Sequence, residues 1–227
     1  AEKILDLVAD IVRFGAESQK YMKYNYDPND PSTNDNLPTA KCEWIGVYGS
    51  KDFTESEIPD TLSELETKDI SSKGPTNNNI KFTGASVIIS NEVQIRFKFT
   101  ATEDTLLTMK CGNNTEINSI PLKYIAKESG YKGWPENHLY ELYKLDNDGN
   151  YMLTTKKLRM VDNGLSYIVS LSTKNADGSQ NDEHIIEYSI DGFIARLWKD
   201  EKAGSIVRAM YAYEESAKKV LQGQINN

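Results

Sequence analysis

IKFTGASVIISNEVQIRFKFTA, residues 80–101, decides the fold. Val93, Ile95, Phe97 and Phe99 alternate with Gln94, Arg96 and Lys98. A strand turns successive side chains to opposite faces, so a period of two describes a strand with one buried and one wet face. The run before it, residues 80–90, pairs with it as a hairpin around Asn91-Glu92. Four further runs of strand character follow at 105–111, 138–145, 151–160 and 166–174, with a weaker one at 117–126. Asp148-Gly149 separates two of them and is a strong hairpin signal, because glycine accepts the positive φ of a tight turn. Six to eight such strands predict an antiparallel sandwich. CEWIGVY (42–48) reads as one more strand.

Helical patterns stand at both ends. LVADIVRFGAESQKYM (7–22) and IVRAMYAYEESAKKVL (206–221) align without gaps at an offset of 199. Leu7, Val8, Ile11, Phe14 and Met22 match Ile206, Val207, Met210, Tyr213 and Leu221. Their spacing places each set on one stripe of a helix, and such stripes are most simply core. EHIIEYSIDGFIARLWKD (183–200) reads as another helix, with Ile186, Ile190, Phe193, Ile194 and Leu197 on one side and Gly192 weakening it. Residues 53–66 carry a short helix interrupted by Pro59, and 24–38, with three prolines, form an ordered turn or a linker. The predicted class is α+β: an antiparallel β-sandwich packed with a small bundle of N- and C-terminal helices. It is read as a single module over 1–227, with a helical segment at 1–66, the sandwich at 80–174, and a helix pair at 183–222 that packs with the first helix.

The chain of 227 residues is long enough to bury a full core. Its net charge of −8 argues against a nucleic-acid backbone as partner. No apolar run approaches the roughly 18 residues of a membrane span, so membrane insertion is not expected. Mean hydropathy is −0.58. Tyrosine is abundant, at 13 against 6 phenylalanines; it fills half-buried strand positions or, where exposed, stacks on sugars. Cys42 and Cys111 lie in no metal-ligand spacing, and sequence leaves open whether they pair. No leader is visible, and the chain reads as a piece of a longer protein.

The blocks resemble a module of secreted, multidomain surface proteins of anaerobic Gram-positive bacteria. That family has a helix of the form LVKAMLNYGAAAQKYFNYN before a β domain, where this chain has LVADIVRFGAESQKYMKYN at 7–25. Its β hairpin resembles GASVIISNEVQIRFKF at 84–99, and its two closing helices resemble YSIDGFIARL (188–197) and residues 206–221. This chain departs from the pattern in having Glu214 where the family has glycine. The arrangement is also similar to starch-adherence proteins. The resemblance implies an extracellular, cell-surface location, neighbouring domains in the same protein as partners, and glycan binding without a catalytic constellation.

Catalysis is hard to seat in the residues themselves. His138 and His184 lie in no ligand or triad spacing, and nucleotide-binding and nucleophile-elbow motifs are absent. No cofactor is expected. Calcium is a weak candidate at 145–151, 175–182 and 27–35, where acids cluster in turns, but no loop has the full ligand spacing. Sugar binding needs exposed aromatic faces with amides or charged groups nearby. GYKGWPENHLYELY (130–143) has that content: Tyr131 and Trp134 for stacking, with Lys132, Glu136 and Asn137 for hydroxyls. The alternative reading is that Trp134 covers the open end of the sandwich. Trp44 and Trp198 read as core. The expected function is non-catalytic binding of a polysaccharide such as starch; the alternative is a structural spacer or protein-interaction module.

Overall fold

Val93, Ile95, Phe97 and Phe99 are buried, and the residues between them are not. This strand sits in a computed structural model that describes residues 2–49, 53–68, 71–75, 79–89, 92–125, 131–133, 140–155, 158–174 and 177–225. Among the described residues there are eight strands: β1 (Lys81–Ile89), β2 (Val93–Thr100), β3 (Leu106–Cys111), β4 (Asn114–Pro121), β5 (Tyr140–Lys144), β6 (Asn150–Thr155), β7 (Tyr167–Lys174) and β8 (Gln180–Tyr188). The helices are α1 (Glu2–Met22), α2 (Asp60–Glu66), α3 (Ile190–Leu197) and α4 (Gly204–Ile225). All strand pairs are antiparallel, in two four-stranded sheets ordered β1-β2-β6-β5 and β4-β3-β7-β8. The class is α+β with a β-sandwich.

The chain forms two compact units. The sandwich draws on residues 69–159 and 164–190. Its inner faces carry aromatic rings: Phe99 stacks on Tyr151, its cross-strand neighbour in the same sheet, at 5.6 Å, and Phe97 of one sheet meets Tyr188 of the other edge-on at 6.4 Å. Burying each such ring contributes on the order of 2 kcal/mol. The β5–β6 hairpin turns at Asp148-Gly149, as its sequence predicts. Asp146 Oδ1 accepts the backbone N–H groups of Asp148 and Asn150, and Gly149 has φ +80°. A Cβ on Gly149 would stand 2.6 Å from the Ala101 carbonyl oxygen, whereas one on Gly178 (φ +84°) would meet nothing within 4 Å. Gly149→Ala therefore costs about 1–3 kcal/mol, and Gly178→Ala less. Thermal unfolding of the two variants side by side checks this; equal losses would count against the carbonyl clash.

The helical unit draws on residues 1–68, 160–163 and 191–227. Helices α1 and α4 pack antiparallel, with Phe14 against Tyr213 at 6.1 Å and Lys3 Nζ near Gly223. Trp198 is fully buried against Phe53 and Tyr211. Helix α2 starts directly after Pro59, which caps it rather than breaking it. Cys42 and Cys111 do not form a disulfide.

Three further expectations fail. Residues 183–188 are strand, not helix: His184, Ile186 and Tyr188 point inward and alternate with Glu183, Ile185 and Glu187. A period of two is present there, but Ile186 and Ile190 mimic a helical repeat across the strand–helix junction. Pairing with β7 on one side, and with Lys73 through two hydrogen bonds to Ile185 on the other, wins. The C-terminal helices thus begin at Ile190, and the sandwich extends past 174. Residues 42–48 coil through turns instead of forming a strand, because Gly46 and the adjacent Gly49 take φ +101° and +112°. Trp44 is consequently half-buried, edge-on to Tyr48.

The third concerns α1. Its apolar stripe is only partly core: Val8, Ile11 and Met22 are exposed and Leu7 and Phe14 half-buried, while Ala9, Asp10 and Ala16 are buried. The matching residues Ile206, Val207 and Met210 of α4 are buried as expected. The difference lies in what each helix faces. Helix α1 turns its polar side inward, where Asp6 Oδ1 accepts Gly49 N–H at 2.8 Å and Arg13 reaches the Tyr48 carbonyl at 3.5 Å. Small Ala9 and Ala16 let the chain approach closely on that side.

Candidate functional site

The outer face of the β4-β3-β7-β8 sheet carries an open hollow of about 400 Å3. The register of the sheet builds it. Thr108 of β3 faces Ser170 of β7, which faces Ile185 of β8. On the other side, Ser119 donates its N–H to Thr108 Oγ1 at 3.3 Å and holds its own Oγ 3.4 Å away. One residue pair along, Lys110 faces Thr115 and Ile168. The floor is therefore a row of three hydroxyls, Ser119–Thr108–Ser170, with Ile168 and Ile185 as apolar strips beside it. Asn118, Lys110 and Glu183 stand at its margin.

Consecutive residues of a regular strand point to opposite faces, yet Asn118 and Ser119 both line the hollow. The β3–β4 ladder slips around Met109, and Ser119 takes φ +50°. Such bulges re-aim side chains, and here the irregularity brings an extra amide to the hydroxyl row. Lys110 and Glu183 are exposed, and neither forms an ion pair with a described residue. Their charged ends are available to solvent and ligand.

Along the same face, Leu106 follows Thr108 and Lys110 on β3 and lines a second hollow of about 370 Å3. Asp104, Lys123, Thr173 and Lys174 are its polar walls. Lys123 Nζ sits 5.4 Å from the centre of the Tyr124 ring, and that ring is 61% exposed. The two hollows share no lining residue and form an interrupted trough along this face, with hydroxyl, amide, cationic and carboxylate groups in its walls and the exposed Tyr124 next to the lining residue Lys123. Rigid strands hold these groups at fixed spacing, which is what orientation-specific recognition of a ligand's hydroxyls requires.

The sequence-based site lies elsewhere. Tyr131 N–H donates to the Leu142 carbonyl at 3.1 Å, beside β5 in the other sheet, and its ring folds back against Gly133. Lys132 is exposed. Trp134, Glu136, Asn137 and His138 lie outside the described residues. His184 is buried on the inner face of β8 rather than opening a helix, with its Nε2 unpartnered. The trough residues were missed because their signal is spread over four strands, and only the ladder register collects it.

The acids of the three calcium-candidate turns cap their own loops. Asp30 accepts Ser32 N–H and Oγ–H, Asp177 does the same with Ser179, and Asp146 binds Asn150. The Ser32 and Ser179 hydroxyls, with the backbone N–H groups, hold the Asp30 and Asp177 carboxyls below the usual range. Among the described residues no three His, Cys, Asp or Glu side chains gather as a metal site. No described helix is long and apolar enough to cross a membrane.

No protein-family model matches the chain, and no curated protein matches it. Fold and site together define an α+β protein whose β-sandwich carries an open polar trough on one sheet face.

Proposed function

We propose that the chain is a non-catalytic carbohydrate-binding module that holds a polysaccharide, such as starch, at the cell surface. The observation that carries this reading is the hydroxyl row Ser119–Thr108–Ser170 in an open hollow, flanked by Asn118, Lys110 and Glu183 and by two isoleucines. A sugar ring offers directional hydroxyls at its rim and C–H groups on its faces, so polar groups interleaved with apolar strips suit it. The continuation toward Tyr124 suits a ligand longer than one ring. Glycoside hydrolysis needs a pair of carboxylates across the scissile bond, and among the described residues each hollow is lined by a single one, Glu183 in the first and Asp104 in the second. The resemblance to surface-protein modules supports an extracellular location and neighbouring domains as partners.

The test is a glycan array followed by affinity electrophoresis in gels containing the best polysaccharide. The Lys110→Ala/Asn118→Ala double variant is expected to bind at least about tenfold more weakly, since each lost hydrogen bond is worth about 1 kcal/mol, with an unchanged melting temperature. Undiminished retention would sink the trough. Wild-type protein that binds no glycan would sink the ligand class.

A second reading, a protein-interaction module, is favoured by the outward apolar row Ile4, Val8 and Ile11 of α1. Exposed apolar rows of this kind mark protein contacts. It is the better account if the array is blank and Val8→Lys abolishes a co-purifying or self-association contact.

A further inference from the structure

A third hollow, in the helical unit, has a different character. It measures about 450 Å3 and is lined by α1, α4 and the residues Thr39, Ile45, Gly46 and Phe53. That is within the size range of small-molecule sites. Among the described residues its charged lining is Arg13, Lys20 and Arg208 against one carboxylate, Glu17. In a chain of net charge −8, this is a local excess of cations.

The two guanidiniums are largely shielded: the Arg13 side chain is 17% exposed and that of Arg208 14%. Arg208 Nη1 donates to the Trp198 carbonyl, which fixes the group. Among the described residues its Nη2 finds only distant acceptors, Ser205 Oγ at 3.5 Å and Glu55 at 4.0 Å. Both exceed a good hydrogen bond, so a positioned donor is left with capacity to spare. Arg13 stands 3.7 Å from buried Asp10. Lys20 pairs with Glu17 at 2.7 Å and Arg13 with Asp10, so Arg208, whose acidic neighbour Glu55 is exposed and 4.0 Å away, carries the least compensated charge of the site. Phe53 and Ile45 supply apolar wall, and Ala209 keeps the hollow open where a larger residue on α4 would fill it. A planar guanidinium fork is suited to oxyanions, which it can meet with two parallel bonds.

We propose that this hollow binds a small organic anion, with its carboxylate or phosphate held by Arg208 and Arg13 and its body lying against Phe53 and Ile45. The site is separate from the sheet trough and does not depend on the reading given for that surface.

Titration calorimetry of the whole chain tests it with three probes: glucuronate, glucose 6-phosphate and glucose, with inorganic phosphate as a fourth arm. One or both charged sugars are expected to bind, weakening as salt is raised, and glucose is expected not to. Glucuronate binding without glucose 6-phosphate identifies a carboxylate site, and the converse a phosphate site. Binding of inorganic phosphate as tightly as glucose 6-phosphate would overturn the role of the apolar wall. Arg208→Lys keeps the charge but loses the fork, and is expected to bind at least tenfold more weakly. Ala209→Leu is expected to block binding by filling the space. Thermal melting of both variants confirms the fold, and Arg208→Lys decides the matter if Ala209→Leu does not fold. Glucose binding as well as the anions, no binding of any charged probe, or wild-type affinity in Arg208→Lys would each overturn the proposal.

Discussion

Trp198→Ala lowers the stability of the helical unit by about 3–5 kcal/mol. The indole is fully buried at the end of α3, and three separate losses fall on the same substitution. The first is apolar burial. The second is ring packing: Trp198 meets Phe53 at 5.6 Å and Tyr211 at 5.8 Å, both edge-on, and those two rings meet each other at 5.2 Å. Removing one member of the triangle leaves a cavity that the other two cannot close without leaving their own positions. The third is polar: Nε1 donates to the Thr54 carbonyl at 3.0 Å, and that acceptor would be left unpaired. Whole-domain stability is typically about 5–15 kcal/mol, so a loss of this size removes a large part of it. Trp198→Phe retains a ring and gives up the N–H, and should recover more than half of the loss. The measurement is urea unfolding followed by helical circular dichroism. A loss below about 1 kcal/mol for the alanine variant would mean that the three rings do not form the centre of this unit.

Trp198 was legible in the sequence because it extends an apolar stripe with helical spacing. The strands were legible for the same kind of reason: in β2 the pattern and the burial coincide residue by residue. Reading failed where two periodicities overlap. Ile185, Ile186 and Ile190 satisfy a strand and a helix in turn, and nothing local says that the change falls at Ser189. It failed again at α1, because periodicity identifies an apolar face but not what that face meets. Asp6, Asp10 and Arg13 look like a solvated side, and yet they hold the loop at Tyr48 and Gly49. The trough is a third case. Thr108, Ser170 and Ser119 are unremarkable wet-face residues one strand at a time, and become a site only through register and a bulge at Met109.

Stability of the helical unit falls as pH rises from about 4.5 toward 8, and Glu214→Gln removes most of that fall. Glu214 is the one position at which the sequence departs from the glycine of the pattern it resembles, and its side chain on α4 is wholly buried. Its Oε2 accepts Asn163 Nδ2–H at 3.0 Å, and Lys218 Nζ contacts Oε1. The carboxyl of Asp191, from α3, is the other acid beside it, with Glu215 farther along the helix. Burial, and then the Asp191 charge, push the Glu214 carboxyl up to about 8, against the pull of Lys218. Burial raises Asp191 as well. The folded chain therefore holds a proton that the unfolded chain, with an ordinary value near 4.5, has released. Between those limits unfolding releases a proton, so rising pH favours unfolding. The contribution is complete below 4.5 and lost as pH passes through about 8, a change on the order of a few kcal/mol. Asp30, Asp177 and Asp200, whose carboxyls are held low by hydrogen bonds, act in the opposite sense but are fully exposed, and such surface contributions are small. Glutamine keeps the shape and an acceptor for Asn163 while carrying no charge at any pH. The variant should match wild type near the acid end and exceed it at the alkaline end. Glu214→Ala, which strands Asn163 and Lys218 around a cavity, should be less stable throughout. A wild-type melting temperature that stays level from roughly pH 5 to pH 8, or a glutamine variant with an undiminished slope, would place the proton elsewhere.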